Sequence, residues 1–218
     1  MDEKKEIIDR ISRISGKYSA YEVFTDWIRC CALAMCNSVT PIHGRVWQKR
    51  EKNYMDTIAR YAREEAGLFA EMLALLAVAL EKNMEDVLGS IYMLSGMGNK
   101  ASGQFFTPYH VSRLCAGCSV PDPDASGRYN IAEPSCGGGG MVIAAAEVLK
   151  ERGVDYQKKM NVVAQDLDWK SVYMCYLQLG LLGIPAICVQ GNTLTEPYRS
   201  GYPEERVLYT PAKMGVLL

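Results

Sequence analysis

Tyr129-Asn130-Ile131-Ala132-Glu133-Pro134-Ser135-Cys136-Gly137-Gly138-Gly139-Gly140-Met141 decides how this chain is read. A β-prone run ends on an acid and a proline, four glycines follow, and a helix-forming run occupies 141–150, so the pattern predicts strand, tight loop, helix. Glycines let the backbone pass close to a ligand that a Cβ would strike, and the helix N-terminus offers unpaired N–H groups to its polar part. The stretch reads as a nucleotide-type cradle. A dinucleotide fingerprint, G-x-G-x-x-G, fails, because its third glycine falls on Val142 counted from Gly137 and on Ile143 counted from Gly138. A phosphate-binding P-loop fails as well, since no Gly-Lys pair follows the loop.

Downstream, Asn161-Val162-Val163-Ala164-Gln165-Asp166 reads as a buried parallel-type strand ending on a carboxylate. An acid at the tip of a second strand is placed to accept hydrogen bonds from both hydroxyls of a ribose. Asp168 suits a helix N-cap, because Trp169, Val172, Tyr173, Tyr176 and Leu179 begin a helical apolar pattern just after it. Residues 186–190 form a third apolar strand, followed by Gly191-Asn192-Thr193-Leu194. Residues 206–209 form a short fourth strand, followed by Thr210-Pro211-Ala212-Lys213.

Upstream, Thr107 is expected to cap a helix whose first residue is Pro108. That helix sets Val111, Leu114, Cys115 and Cys118 at i, i+3, i+4 and i+7, a face expected to pack into the core. Cys115-Ala116-Gly117-Cys118 is therefore read as packing rather than as a metal or redox site, in a chain with two histidines and no second C-x-x-C. Further back, residues 2–15 form an amphipathic helix, and Ser19-Ala20-Tyr21-Glu22 is a capping box opening a helix that ends before Pro41. Residues 43–66 read as a basic, aromatic-containing helix, either a solvated face or a contact to a DNA backbone. Residues 68–80 are apolar nearly all round and are expected at the centre of a helical bundle. A helix over 85–97 follows, then a polar, glycine-containing link at 99–103. The boundary placed there divides a helical domain, 1–100, from an α/β domain, 101–218.

With 49% hydrophobic and 22% charged residues over 218 positions, the chain buries a real core and is not disordered. A net charge of -1 excludes a global basic footprint, so any nucleic-acid contact is local or shared with a partner. The longest apolar run, 72–80, falls short of the roughly 20 residues that cross a bilayer, and the charged N-terminus has no apolar leader. A cytoplasmic protein with reduced, buried cysteines is expected.

Four motifs stand in a familiar order. They are Asp86-Val87-Leu88-Gly89-Ser90-Ile91-Tyr92-Met93, Gly103-Gln104-Phe105-Phe106-Thr107-Pro108, the acid-Pro-x-Cys-Gly-x-Gly of the opening stretch, and Gly191-Asn192-Thr193-Leu194. Together they resemble the adenine-N6 DNA methyltransferases, particularly the M subunits of type I restriction-modification systems. The resemblance runs over 85–194 and implies an α/β fold: a helical N-terminal bundle followed by a partial Rossmann-like sheet that binds S-adenosylmethionine (SAM). It implies a SAM site built from Gln104, Phe105, Phe106, Thr107, Pro108, Glu133, Ser135, Cys136, Gly137, Gly139, Asp166, Leu167, Asn192, Thr193 and Leu194. Asn192 stands where the family carries an acid, and its amide oxygen can still accept from the adenine amino group.

Catalysis in that family rests on (Asn/Asp/Ser)-Pro-Pro-aromatic, which holds and activates a flipped adenine. This sequence has no Pro-Pro pair. Thr210 and Pro211, after the expected fourth strand, and Tyr198 are the degenerate candidates. The resemblance implies DNA as partner, with a specificity-type subunit, a second chain or a second copy covering an unpaired fourth-strand edge, and no membrane or metal. Two alternatives stay open: a catalytically inactive SAM-binding accessory module of a restriction-modification or mobile-element system, and a methyltransferase acting on protein or a small molecule.

Overall fold

A computed structural model describes residues 2–97 and 106–216. The N-terminal half is helical: α1 (Glu3–Ile14), α2 (Ala20–Ser38), α3 (Arg45–Ile58), α4 (Arg63–Lys82) and α5 (Val87–Leu94). The capping box is present, with Ser19 Oγ accepting from Glu22 N–H while the Glu22 carboxylate accepts from Ser19 N–H. The helix expected over 43–66 is instead two helices. Between them Tyr61 turns into the core and donates to Asp26 at 2.8 Å, Arg60 pairs with the same carboxylate at 2.6 Å, and Glu65 accepts the Ala62 N–H that opens α4. Nor is α4 buried all round. Phe69, Met72, Leu76 and Ala79 face inward while Val78 is exposed.

The second half alternates: α6 (Tyr109–Ser119), β1 (Tyr129–Glu133), α7 (Gly140–Glu151), α8 (Tyr156–Lys159), β2 (Met160–Asp166), α9 (Trp169–Leu181), β3 (Ala186–Gln190) and β4 (Val207–Tyr209). The sheet order among the described residues is β1-β2-β3-β4, with the first three strands parallel and β4 antiparallel to β3. Register puts Ile131, Val162, Ala186, Ala164 and Cys188 on one face, which packs under α7 and α9. Every residue from Lys170 to Gly180 is buried, because α9 has the sheet on one side and α2 on the other. The bundle and the sheet thus share one continuous core. The boundary expected at 99–103 lies outside the described residues.

Two expectations about this half are corrected. Thr107 makes no capping bond, Pro108 takes the cap position, and α6 turns its Ser112–Ala116 face inward. Tyr109 hydrogen-bonds Glu147 at 2.8 Å and Arg113 pairs with Glu147 and Glu151, which clamps that face to α7. Val111, Leu114, Cys115 and Cys118 therefore point outward; the other six cysteines are buried, and all eight are free. The fourth strand lies where the sequence places it but runs the other way, at the far edge beyond β3. Its end at Thr210 consequently returns to the amino end of the sheet, opposite the glycine loop. Arg50 covers that edge by donating to the Val207 carbonyl at 2.8 Å, and β1 forms the other edge, with no strand beyond it among the described residues.

Thr210 is fully buried, accepts the Ala186 N–H at 2.9 Å and donates to the Ile184 carbonyl at 2.8 Å. Thr210→Val strands both backbone groups, an expected loss of about 1–3 kcal/mol. Urea denaturation is the measurement, and an unchanged midpoint would contradict the role.

Candidate functional site

The parallel strands β1, β2 and β3 end on the same edge, and the loops leaving them are tied to one another there. Past the end of β1, Cys136 N–H reaches the Gln165 carbonyl at 2.9 Å, extending the strand pairing by one step. Gly137 N–H then donates to one oxygen of Asp166 at 2.9 Å, while Asp168 N–H donates to the other at 3.0 Å. Asp168 caps α9 as expected, accepting from Lys170 N–H. Thr193 Oγ1 donates to the Pro134 carbonyl at 2.6 Å and binds the loop after β3 to the loop after β1. Glu133 turns back on its own loop and accepts from Ser135 N–H.

Two glycines are required by what surrounds them. Gly139 caps α7 at φ +95°, a left-handed conformation that a side chain rarely adopts, and a Cβ on it would meet Cys175 Sγ at 3.2 Å. A Cβ on Gly138 would sit 2.7 Å from an Asp86 carboxylate oxygen. Asp86 comes from the turn before α5. It is 4% exposed, accepts from Gly89 N–H and from Gln178 Nε2, both at 2.8 Å, and burial pushes its carboxyl up from the ordinary range. Gln178 Nε2 also donates to the Gly138 carbonyl at 2.6 Å, and its Oε1 accepts Leu88 N–H at 3.0 Å.

The result is a cleft of about 320 Å³ walled by Asp86, Phe106, Ser112, Gly137, Gly138 and Asp166, with Thr107, Ser135, Cys136 and Ser171 completing it. A second cleft of about 340 Å³ shares Asp86, Phe106 and Thr107 and is also lined by Pro108. In the first cleft Ser112 Oγ is buried without a hydrogen-bond partner among the described residues. At the rim, Leu167 after β2 and Leu194 after β3 are 66% and 94% exposed. Asn192 Oδ1 accepts Leu194 N–H and keeps a second lone pair.

Phe106, Thr107, Glu133, Ser135, Cys136, Gly137, Gly139, Asp166, Leu167, Asn192, Thr193 and Leu194 thus gather at or beside one edge. Gln104 and Phe105 lie outside the described residues. Thr210 and Pro211 are not brought to this edge. Tyr198 sits in the loop after β3 with its N–H on Gln165 Oε1, beside Tyr202 rather than in the cleft. Asp86, Ser112 and Gln178 were not foreseen as site residues. Gln178 carried a signal, a single amide between the apolar Leu177 and Leu179 of a helix whose every neighbouring position is buried.

A family model described as N-6 DNA Methylase matches residues 83–211, more than half of the chain. The chain belongs to that family. The match begins just before Asp86, so it takes in α5 together with the sheet, as the Asp86–Gln178 contact does. The chain is also similar to the type I restriction enzyme MjaIX methylase subunit of Methanocaldococcus jannaschii, 31% identical over 93 residues. That stretch is 40% of this chain and spans only 16% of that subunit's length. Among the described residues no helix is long and apolar enough to cross a membrane.

Asp86 makes a pH-dependent prediction. An acid whose folded-state pKa is raised binds more protons folded than unfolded, so stability falls as pH rises from the unfolded value, about 4, toward the folded one. Asp86→Asn keeps an acceptor oxygen and removes that slope. In thermal melts the variant is expected to gain on the wild type as pH rises above about 4; an offset that stays constant with pH would rule out a carboxyl strained by burial.

Proposed function

We propose that the cleft after β1 binds SAM and that the chain forms the cofactor-holding part of an adenine-N6 DNA-modifying methyltransferase. The observation that carries this is the convergence of Asp86, the Gly137–Gly140 loop and Asp166 on one cleft, in a chain of the N-6 DNA Methylase family. The donor set fits the cofactor. Among the described residues Asp86 is a buried carboxyl that accepts only from neutral donors, and a ligand α-ammonium would restore its charge pairing. The N–H groups opening α7 suit a carboxylate. Asp166 keeps lone pairs for ribose hydroxyls, Leu167 and Leu194 offer apolar surface to a purine, and the free lone pair of Asn192 accepts its amino group. Ser112 Oγ, buried and without a partner, gains one.

When bound, SAM supplies a methyl group activated by its sulfonium. What the chain's residues do is hold and orient it and keep one side of the site dry through Phe106 and Met141. The residues that would hold a flipped adenine are not assigned among those at this edge. A strand added in parallel to the open edge of β1 would end beside Gly137, which makes that edge the natural position for them, from further sequence or from a second polypeptide. DNA as substrate, and a specificity-type subunit or second copy as partner, belong to this proposal. Methyl transfer by residues 1–218 alone is expected to be weak or absent.

Calorimetry with SAM or S-adenosylhomocysteine tests the reading. Saturable binding is expected, weakened by about 1–3 kcal/mol in Asp166→Ala, the scale of lost charge-assisted hydrogen bonds. No heat at about 1 mM ligand, a concentration that reveals even weak complexes, would end it.

A further inference from the structure

A second cleft is larger than the one at the glycine loop. It measures about 650 Å³ and lies on the other side of α9, between α2, α3 and the β3–β4 end of the sheet. Its lining carries four cationic side chains, Arg29, Lys49, Arg50 and Arg206, against one carboxylate, Glu205, in a protein whose net charge is -1. The basic residues of α3 are thus divided by its geometry. Lys52 pairs with Asp56 on the outer face, whereas Lys49 and Arg50 turn into the cleft with Val46 and Asn53, at i, i+3, i+4 and i+7. Arg50 is fixed by its bond to the Val207 carbonyl, Arg29 is held at 3.4 Å from Asp26, and Arg206 at 2.9 Å from Glu196. Lys49 has no ion-pair partner among the described residues. Glu205 is held below the usual carboxylate range by a backbone hydrogen bond and by Arg45, Lys49 and Arg206 around it.

The opposite wall is aromatic. Trp169 and Tyr173 stack with centroids 5.0 Å apart and planes 25° apart, and both line the cleft, Trp169 half-buried with Tyr173 behind it. Fixed cations facing a rigid aromatic plane are what a phosphorylated nucleobase compound needs: charge-assisted hydrogen bonds for phosphate oxygens and a π surface for the base. The shape selects the size. A concave site of this volume is in the range of small-ligand pockets, roughly 300–1,000 Å³, whereas a polynucleotide backbone is tracked by an open groove or ridge. We propose that this cleft is a second ligand site, taking a free nucleoside polyphosphate with its phosphates on Lys49, Arg50 and Arg206 and its base against Trp169. None of its lining residues is shared with the cofactor cleft, because Ser171 faces that cleft from α9 while Trp169 and Tyr173 face this one.

Three probes test it on the whole chain: ATP, inorganic tripolyphosphate and an oligothymidylate of about ten nucleotides. ATP is expected to quench tryptophan fluorescence saturably and to titrate one to one by calorimetry. Lys49→Ala, at an exposed position, is expected to weaken ATP and tripolyphosphate alike by about tenfold, as one charge-assisted contact is lost. Trp169→Leu, checked for native circular dichroism, is expected to weaken ATP by about tenfold and leave tripolyphosphate unchanged. Asp166→Ala is expected to leave ATP affinity intact, which separates this site from the SAM reading, so either can fail without the other. Absence of ATP binding at about 1 mM, ATP affinity indifferent to both variants, or Lys49-dependent binding of the oligothymidylate more tightly than ATP would each overturn the proposal.

Discussion

The fold of this chain turns on one buried amide. Gln178, fully buried near the end of α9, donates to Asp86 and to the Gly138 carbonyl and accepts from Leu88 N–H. A polar group at such depth is tolerated only when its bonds are made, and these three bonds tie α9 to two other parts of the chain. They fix the start of α5, the glycine loop after β1 and α9 against one another. The cleft at the sheet edge exists because these parts cannot drift. The same arrangement leaves Asp86 as a carboxyl held by neutral donors, a strained state that suits binding better than stability.

Around that point α9 works as a partition. Buried over almost its whole length, it carries the sheet on one side and the bundle on the other, and Lys170 reaches across to the Tyr92 hydroxyl of α5 at 3.0 Å. Its first turn faces two clefts at once. Ser171 looks toward Asp166 and the glycine loop, and Trp169 and Tyr173 look toward the basic residues of α2 and α3. The helical half is therefore a wall of both clefts rather than an appendage to the sheet.

The edges of the sheet are treated unequally. β4 is short, runs against its neighbour and has its outer carbonyl capped by Arg50, all features that discourage further pairing. β1 has no strand on its outer side among the described residues, and its carboxyl end opens directly into the glycine loop. Beside it α6 shows Val111, Leu114, Cys115 and Cys118 outward. The polarity of the sheet thus separates a capped edge, far from the glycine-loop cleft, from an open one next to it.

By itself the sequence determined the element order, the three parallel strands, the caps at Ser19 and Asp168 and the residues at the strand tips. Each of these is local, written in a periodicity or in a side chain bonded to a backbone group a few positions away. The choice of strand-loop-helix around Gly137–Gly140 was legible for the same reason. Tertiary structure decided what distance along the chain hides. It set the direction of β4, and with it the removal of Thr210 and Pro211 to the amino end, because antiparallel and parallel pairing use the same short apolar pattern. It set which face of α6 is covered, because Arg113 and Tyr109 found carboxylates on α7 and overrode the apolar stripe. It broke the basic helix where Asp26 captures Arg60 and Tyr61, and it brought Asp86 to Gln178 across 92 positions of sequence. A buried hydrogen bond between distant residues leaves no periodic trace in the chain, and the deepest part of the site is made of such bonds.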